Sequence, residues 1–290
     1  MSFCDAAIII LAHNGEFYTR KALESILTAE TKPAEIFLID NASTDPTPAL
    51  TTEFQPKFKQ AGIRWTTWRN SENKGCSLAR NEAWAKVTSK YTVFMDNDVA
   101  VCTSNWLQLF LKIMNKNEKC GILGAKMLYP QPKHLIQCAG VLIHPNGRIA
   151  FRGRGKNRFD PKYQKYWPTW ALISACWFMR TDLRETVGYL DETFHPVQYE
   201  DLDLCIRAKL KGYEVAYTPT VEMYHFEGGT TAAVTSIEYQ TNIARNSLKF
   251  RERYHRLFKT FSSDIPLEEF TWKDKKDFNL GEELDLRLTE

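Results

Sequence analysis

Over residues 6–96 short apolar runs alternate with stretches of helical spacing. AAIIILA at 6–12 is too short for a helix, rich in Ile and stopped by His13-Asn14-Gly15, which predicts a strand buried on both faces. Residues 16–30 place Phe17, Leu23, Ile26 and Leu27 at helical spacing, and Pro33 is expected to break that helix. EIFLI at 35–39 reads as a second buried strand, ended by Asp40-Asn41 and a Ser/Thr/Asp/Pro turn. A helix over 48–60, a strand over 63–68, a helix over 77–88 and a strand over 91–95 follow, the last ending at Asp96. This order predicts an α/β fold with a mostly parallel, doubly wound sheet flanked by helices. In such sheets ligands sit outside the carboxyl ends of the strands. His13-Asn14, Asp40-Asn41 and Asp96-Asn97-Asp98 all fall there.

The second half has a different rhythm. Residues 121–152 alternate short strands with Pro/Gly turns, and 152–166, RGRGKNRFDPKYQKY, form a basic, aromatic loop. A helix over 201–211 carries Leu202, Cys205 and Ile206 on one stripe and is capped by Gly212. A basic helix over 239–261 has Ile243, Phe250, Tyr254, Leu257, Phe258 and Phe261 on an apolar face suited to packing on the sheet. Lying on an anionic membrane surface is the other use of such a helix. Residues 1–261 are expected to form one domain, with a nucleotide-binding half at 1–115 and an acceptor half at 116–261. Residues 262–290 form an appendage.

Charge sharpens this division. The net charge of +3 is the sum of a −5 tail, with nine acids and four bases in 262–290, and a +8 body that favours an anionic partner. The tail also contains Leu284, Leu286 and Leu288, so it is expected to pack on the body or on a second subunit of a homodimer. Seven scattered cysteines without a CxxC pair exclude a zinc ribbon and read as buried thiols in a reducing compartment. No stretch approaches the roughly 20 apolar residues of a spanning helix. A cytoplasmic protein is the expectation.

Several polar groups carry candidate chemistry. Asp96 and Asp98, two apart at a strand end, can converge on one hard cation. Asp40, Asn41 and Asp45 can receive a base or ribose, and serve equally as an Asx turn with helix capping. A dinucleotide site would need G-x-G-x-x-G after the first strand, where this chain has AHNGEF. Asn73-Lys74-Gly75 and Arg80 offer phosphate donors, or an exposed helix start. Glu200, Asp201 and Asp203 occupy a first helical turn, where the macrodipole favours acids; Asp203 and Arg207 can pair on the surface. A carboxylate there also suits a general base. His225 beside Asp98 would complete a cation site.

The ordered set IIILAHN (8–14), LIDNASTDPT (38–47), NKGCSLARN (73–81), FMDNDV (94–99), ISACWFMRTDLRETVGYLDETF (173–194), YEDLDLCIRAKLKGY (199–213) and YHFEGGT (224–230) resembles the inverting family-2 glycosyltransferases of the GT-A fold, and the rhamnosyltransferase-like branch most closely. The resemblance implies nucleotide contacts at Ala12, His13, Asn14, Asp40, Asn41, Asn73, Gly75, Arg80, Asp96 and Asn97. It implies Mn2+ or Mg2+ on Asp98, Asp96 and His225, and a catalytic base at Asp201 beside Glu200. Trp170, Trp177 and Tyr199 are candidate acceptor-site rings, since flat rings suit sugar faces. The implied partners are a UDP- or dTDP-linked sugar and a glycan or lipid-linked acceptor, with no nucleic acid and with peripheral membrane association as an option. A nucleotidyltransferase and a non-catalytic carbohydrate-binding protein are the competing classes.

Overall fold

A buried register of isoleucines organises the sheet in the computed structural model, which describes residues 2–227, 237–262 and 284–287. Ile8, Ile9 and Ile10 of β1 (Ser2–Ala12) are fully buried, with α3 (Cys76–Trp84) and α4 (Trp106–Lys116) packed on that strand. Helix α1 (Glu16–Thr28), β2 (Thr31–Asp40), α2 (Ala49–Gln60), β3 (Arg64–Arg69) and β4 (Tyr91–Asp96) complete the first half. Strands β3, β2, β1 and β4 run parallel, and the register sets Ala12 beside Asp40 and Leu11 beside Asp96. Three strand ends therefore meet at one edge.

Pro33 does not end α1; it lies inside β2, opposite Cys4, where the β1–β2 register shifts. A residue without an N–H is tolerated at such an irregularity. Buried Lys32 instead closes α1 by donating to the carbonyls of Leu27 and Ala29. Helix α3 stops at Trp84, short of the expected 88, where Arg184 donates to the carbonyls of Trp84 and Val87.

The second half contributes β5 (Val99–Val101), β6 (Cys120–Leu128), β7 (Ile136–Cys138), β8 (Val141–Ile143), β9 (Ile149–Phe151), β10 (Trp167–Pro168), β11 (Cys176–Arg180) and β12 (Glu214–His225). Its helices are α5 (Leu183–Thr186), α6 (Glu200–Leu210) and α7 (Ile237–Phe258). The main sheet runs β10-β12-β6-β11-β4-β1-β2-β3, while β8 and β9 form a separate hairpin. Strand β11 is antiparallel to both β4 and β6, whereas β12 is parallel to β6. The parallel arrangement thus holds across the first half, and the whole sheet is mixed.

Helix α7 buries Phe250, Tyr254 and Phe258, as its apolar face predicts. The described tail residues lie on the body of the same chain. Asp285 N donates to Pro130 O at 3.1 Å, and Tyr224 Oη donates to Arg287 O at 3.0 Å. Among the described residues no helix is long and apolar enough to cross a membrane. Gly228–Thr230 and Leu288 lie outside the described residues.

Candidate active site

Strand β4 ends at Asp96, and the turn Asn97-Asp98 leads into β5, which pairs with the end of β12 so that His225 faces Val99. Ligand atoms of Asp96, Asp98 and His225 all lie within 4.8 Å of one another. His225 Nε2 sits 3.4 Å from Asp98 Oδ1, and its Nδ1 is 2.9 Å from Gln137 Oε1. An N–H on Nδ1 donating to Gln137 leaves the Nε2 lone pair toward the carboxylates, the tautomer a cation ligand needs. Burial disfavours the charged imidazole, but the carboxylates of Asp98, Asp96 and Glu227 together outweigh it and the net shift of His225 is upward. Two carboxylates and an imidazole fit a divalent cation such as Mn2+ or Mg2+. Gln137 was not anticipated; its only signal is one polar residue within the short apolar strand β7.

Arg80 connects this cluster to a second pair of acids. Arg80 is 2% exposed, and its guanidinium binds Asp96 and donates from Nη1 to Ser174 Oγ at 2.9 Å. Ser174 N in turn donates to Asp201 Oδ2 at 3.2 Å, and Leu202 N donates to Asp201 Oδ1 at 2.8 Å. Burial raises both Glu200 and Asp201 above the usual carboxylate range, and their mutual repulsion adds to the rise at Glu200. Glu200 Oε2 is buried without a hydrogen-bond partner. Arg80, expected at the nucleotide, has both amino groups engaged inside the protein, where it is the buried counter-cation of the acids. Asp203 is likewise no surface partner. It is fully buried, and accepts from Arg207, Arg253 and Tyr254, each at 2.7 Å, tying α6 to α7.

The remaining nucleotide-side residues divide into scaffold and surface. Asn41 is 2% exposed; its Oδ1 accepts from Asn70 Nδ2 at 2.9 Å and Lys74 N at 3.1 Å, while its Nδ2 donates to Asn73 Oδ1 at 2.8 Å. These bonds fix loop 70–75, and an Asp lacking the Nδ2 donor would lose one of them, which explains Asn here. Asn97 donates to Asn14 O at 3.0 Å and Thr19 Oγ1 at 2.9 Å, binding the β4 turn to the start of α1. Both side chains, expected at the nucleotide, are engaged in positioning these loops. Ala12 is fully buried, with its carbonyl accepting from Asn41 N. Gly75, at φ 75, gives close approach to this chain's own backbone: an added Cβ would lie 2.8 Å from Pro196 O, and Cys76 N donates to that oxygen. Asp45 caps α1 by accepting from Gly15 N at 2.8 Å. Asp40 is buried, accepts from Ser43 N at 2.9 Å and ion-pairs with Arg69 at 3.2 Å. Exposed His13, half-buried Asn14 and exposed Asn73 remain at the surface of these strand ends.

The three acceptor-site candidates also separate. Trp177 is corrected to the core: it is fully buried in β11 and stacks on Phe94 with ring centroids 6.2 Å apart. Trp170 stays half-buried between Phe261 and Lys209. Tyr199 enters α6 with φ 77 and packs on Phe250. In the basic loop Arg158 is buried against Glu222, Arg154 pairs with Glu227, and Arg152 stacks on Trp167.

The architecture around this site is that of a GT-A glycosyltransferase. GalNAc-T7 in complex with UDP, GalNAc and Mn2+ superposes with a TM-score of 0.61 at 15% identity, covering 76% of this chain and 42% of that one. The family model "Glycosyl transferase family 2" matches residues 7–188, and the chain belongs to that family. An uncharacterized protein of Sinorhizobium fredii is 25% identical over 227 residues, which are 76% of this chain and 24% of that protein. An uncharacterized glycosyltransferase of Rickettsia prowazekii is 27% identical over 199 residues, 68% of this chain and 56% of that protein. The chain therefore spans only part of the length of these relatives.

Proposed function

We propose that residues 1–261 form a single catalytic domain that transfers a sugar, with inversion, from a nucleotide diphosphate sugar to a hydroxyl of a glycan or lipid-linked acceptor. The observation that carries this is the Arg80–Ser174 link between the Asp96/Asp98/His225 cluster and Asp201. Such a link fixes donor and base sites relative to each other. Asp201 takes the proton from the acceptor hydroxyl as its oxygen attacks the anomeric carbon; each Asp201 oxygen spends one lone pair on a backbone N–H and keeps another. The anomeric C–O bond to the diphosphate breaks on the opposite face, and its electron pair leaves with the nucleoside diphosphate. Asp98, Asp96 and His225 would hold a divalent cation, which would supply charge stabilisation to that leaving group. The strand-end surface at His13, Asn14 and Asn73, backed by Asp40, receives the nucleoside. The likeness of the VGYLDETF and EDLDLCIRAKLKG segments to the rhamnosyltransferase-like branch implies a hexose or deoxyhexose as the transferred sugar.

A donor screen scored by nucleotide release, with Mn2+ and then with chelator, tests the reaction. Nucleoside diphosphate release that chelator abolishes is expected. Pyrophosphate release would make it a nucleotidyltransferase, and binding without turnover a carbohydrate-binding protein. Asp201→Asn is expected to abolish turnover and keep nucleotide affinity; normal turnover would remove Asp201 from the base role.

A further inference from the structure

Phe159 is 72% exposed, the largest exposure of any large hydrophobic side chain among the described residues. It sits in the segment 155–166, which also exposes Lys156, Lys162 and Lys165. The base of this segment is fixed in the protein. Arg158 is buried on Glu222, and its carbonyl accepts from Gln164 Nε2 and from Lys126 Nζ, the latter at 3.1 Å. Tyr163 is buried, and Tyr217 Oη donates to its carbonyl at 2.9 Å. Residues 159–163 therefore leave and re-enter the body at pinned points, Arg158 and Gln164. The single acid, Asp160, accepts from Lys162 N at 2.9 Å and caps the short 3-10 turn at 161–163.

We propose that this segment is a membrane-contact element, docking the protein on an anionic lipid bilayer with Phe159 in the interface and the lysines among headgroup phosphates. An exposed phenyl ring among lysines matches the two components of interfacial binding, apolar burial and attraction to anionic lipid. A soluble polyanion would use the lysines but leave Phe159 in water. The pinned base leaves little ordering to be done on contact, so less of the gain is lost to entropy. The full chain's net charge of +3 adds weak long-range attraction to the same surface. None of this depends on the catalytic reading.

Sedimentation of the full chain with vesicles tests it. Binding to phosphatidylglycerol/phosphatidylcholine vesicles at low salt is expected, with none to phosphatidylcholine alone and steep loss as salt rises. Phe159→Ser is expected to lower the partition coefficient about tenfold, and Lys156→Glu with Lys165→Glu to abolish binding. All three positions are exposed, and an unchanged thermal transition checks the fold. Failure of the wild type to bind anionic vesicles, or undiminished binding by Phe159→Ser, overturns the proposal. Binding to heparin with no binding to vesicles also overturns it and assigns the lysines to a soluble anionic polymer.

Discussion

Arg80 on α3 and Asp96 at the end of β4 are bound side chain to side chain, and the same guanidinium holds Ser174 at 2.9 Å. One buried cation thus serves two acid sites. Arg80→Ala is expected to cost about 1–3 kcal/mol in urea unfolding. That is less than a fully buried pair would lose, because Asp96 is 32% exposed and can rehydrate. Without Arg80, repulsion between Asp96 and Asp98 goes uncompensated. Mn2+ is therefore expected to raise the melting temperature of the variant more than that of the wild type.

Gln137 is fully buried and meets His225 Nδ1 at 2.9 Å. Gln137→Leu keeps the apolar volume and frees the imidazole to rotate or change tautomer. Mn2+ affinity is expected to fall about 10- to 100-fold, the usual effect of losing a partner behind a metal ligand. Calorimetric titration of Mn2+ checks this without any turnover measurement.

The acid pair sets the pH response. Burial raises Asp201 to about 6, so a base at that position is lost as pH falls through that value. The rate profile of kcat/KM is expected to drop on its acidic side near there and to lose that limb in Asp201→Asn. Glu200 has the complementary effect on stability. Its folded-state value, about 7 against 4.5 for the free group, means that the folded state binds the proton more tightly. Its contribution is complete below 4.5 and is lost as pH rises through 7. Glu200→Gln is expected to gain about 1–3 kcal/mol at neutral pH by removing a buried charge, measured by denaturant titration at two pH values.

Asn246 of α7 is fully buried and donates to Phe194 O at 2.6 Å and Val197 O at 2.9 Å. That loop ends in Gln198 and Tyr199, both at positive φ, immediately before Glu200. Asn246→Ala strands two carbonyls, and is expected to cost about 1–3 kcal/mol. It should also speed proteolysis within 194–199. Turnover is expected to fall while nucleotide affinity holds, since the loop feeds the base and not the strand ends.

The sequence carried the strand ends well, because Ile-rich runs stopped by polar turns have few other solutions. Asp96, Asp98 and His225 were readable as a group for the same reason. What was not readable is which polar residues face inward. Asn41, Asn97 and Arg80 lie beside the site in sequence, yet each spends its side chain on the scaffold. Composition near a cleft is the same for a ligand contact and for the residue behind it. Trp177 fails differently: a ring in a short strand points to the core or to a surface according to the sheet that covers it. That sheet order depends on β11 entering antiparallel between β4 and β6, a nonlocal pairing without a local signature.

The placement of β11 has a consequence for synthesis. Strand β4 pairs with β1 on one side, and its other side is closed only by residues 176–180. A chain released after α4 holds every nucleotide-side residue and still presents β4 as an open edge, a template for self-association. The strand that closes this edge follows directly from Ser174 and Ala175, which brace Asp201 and Asp96. One short segment, 174–180, thus both closes the β4 edge and braces the two acid sites.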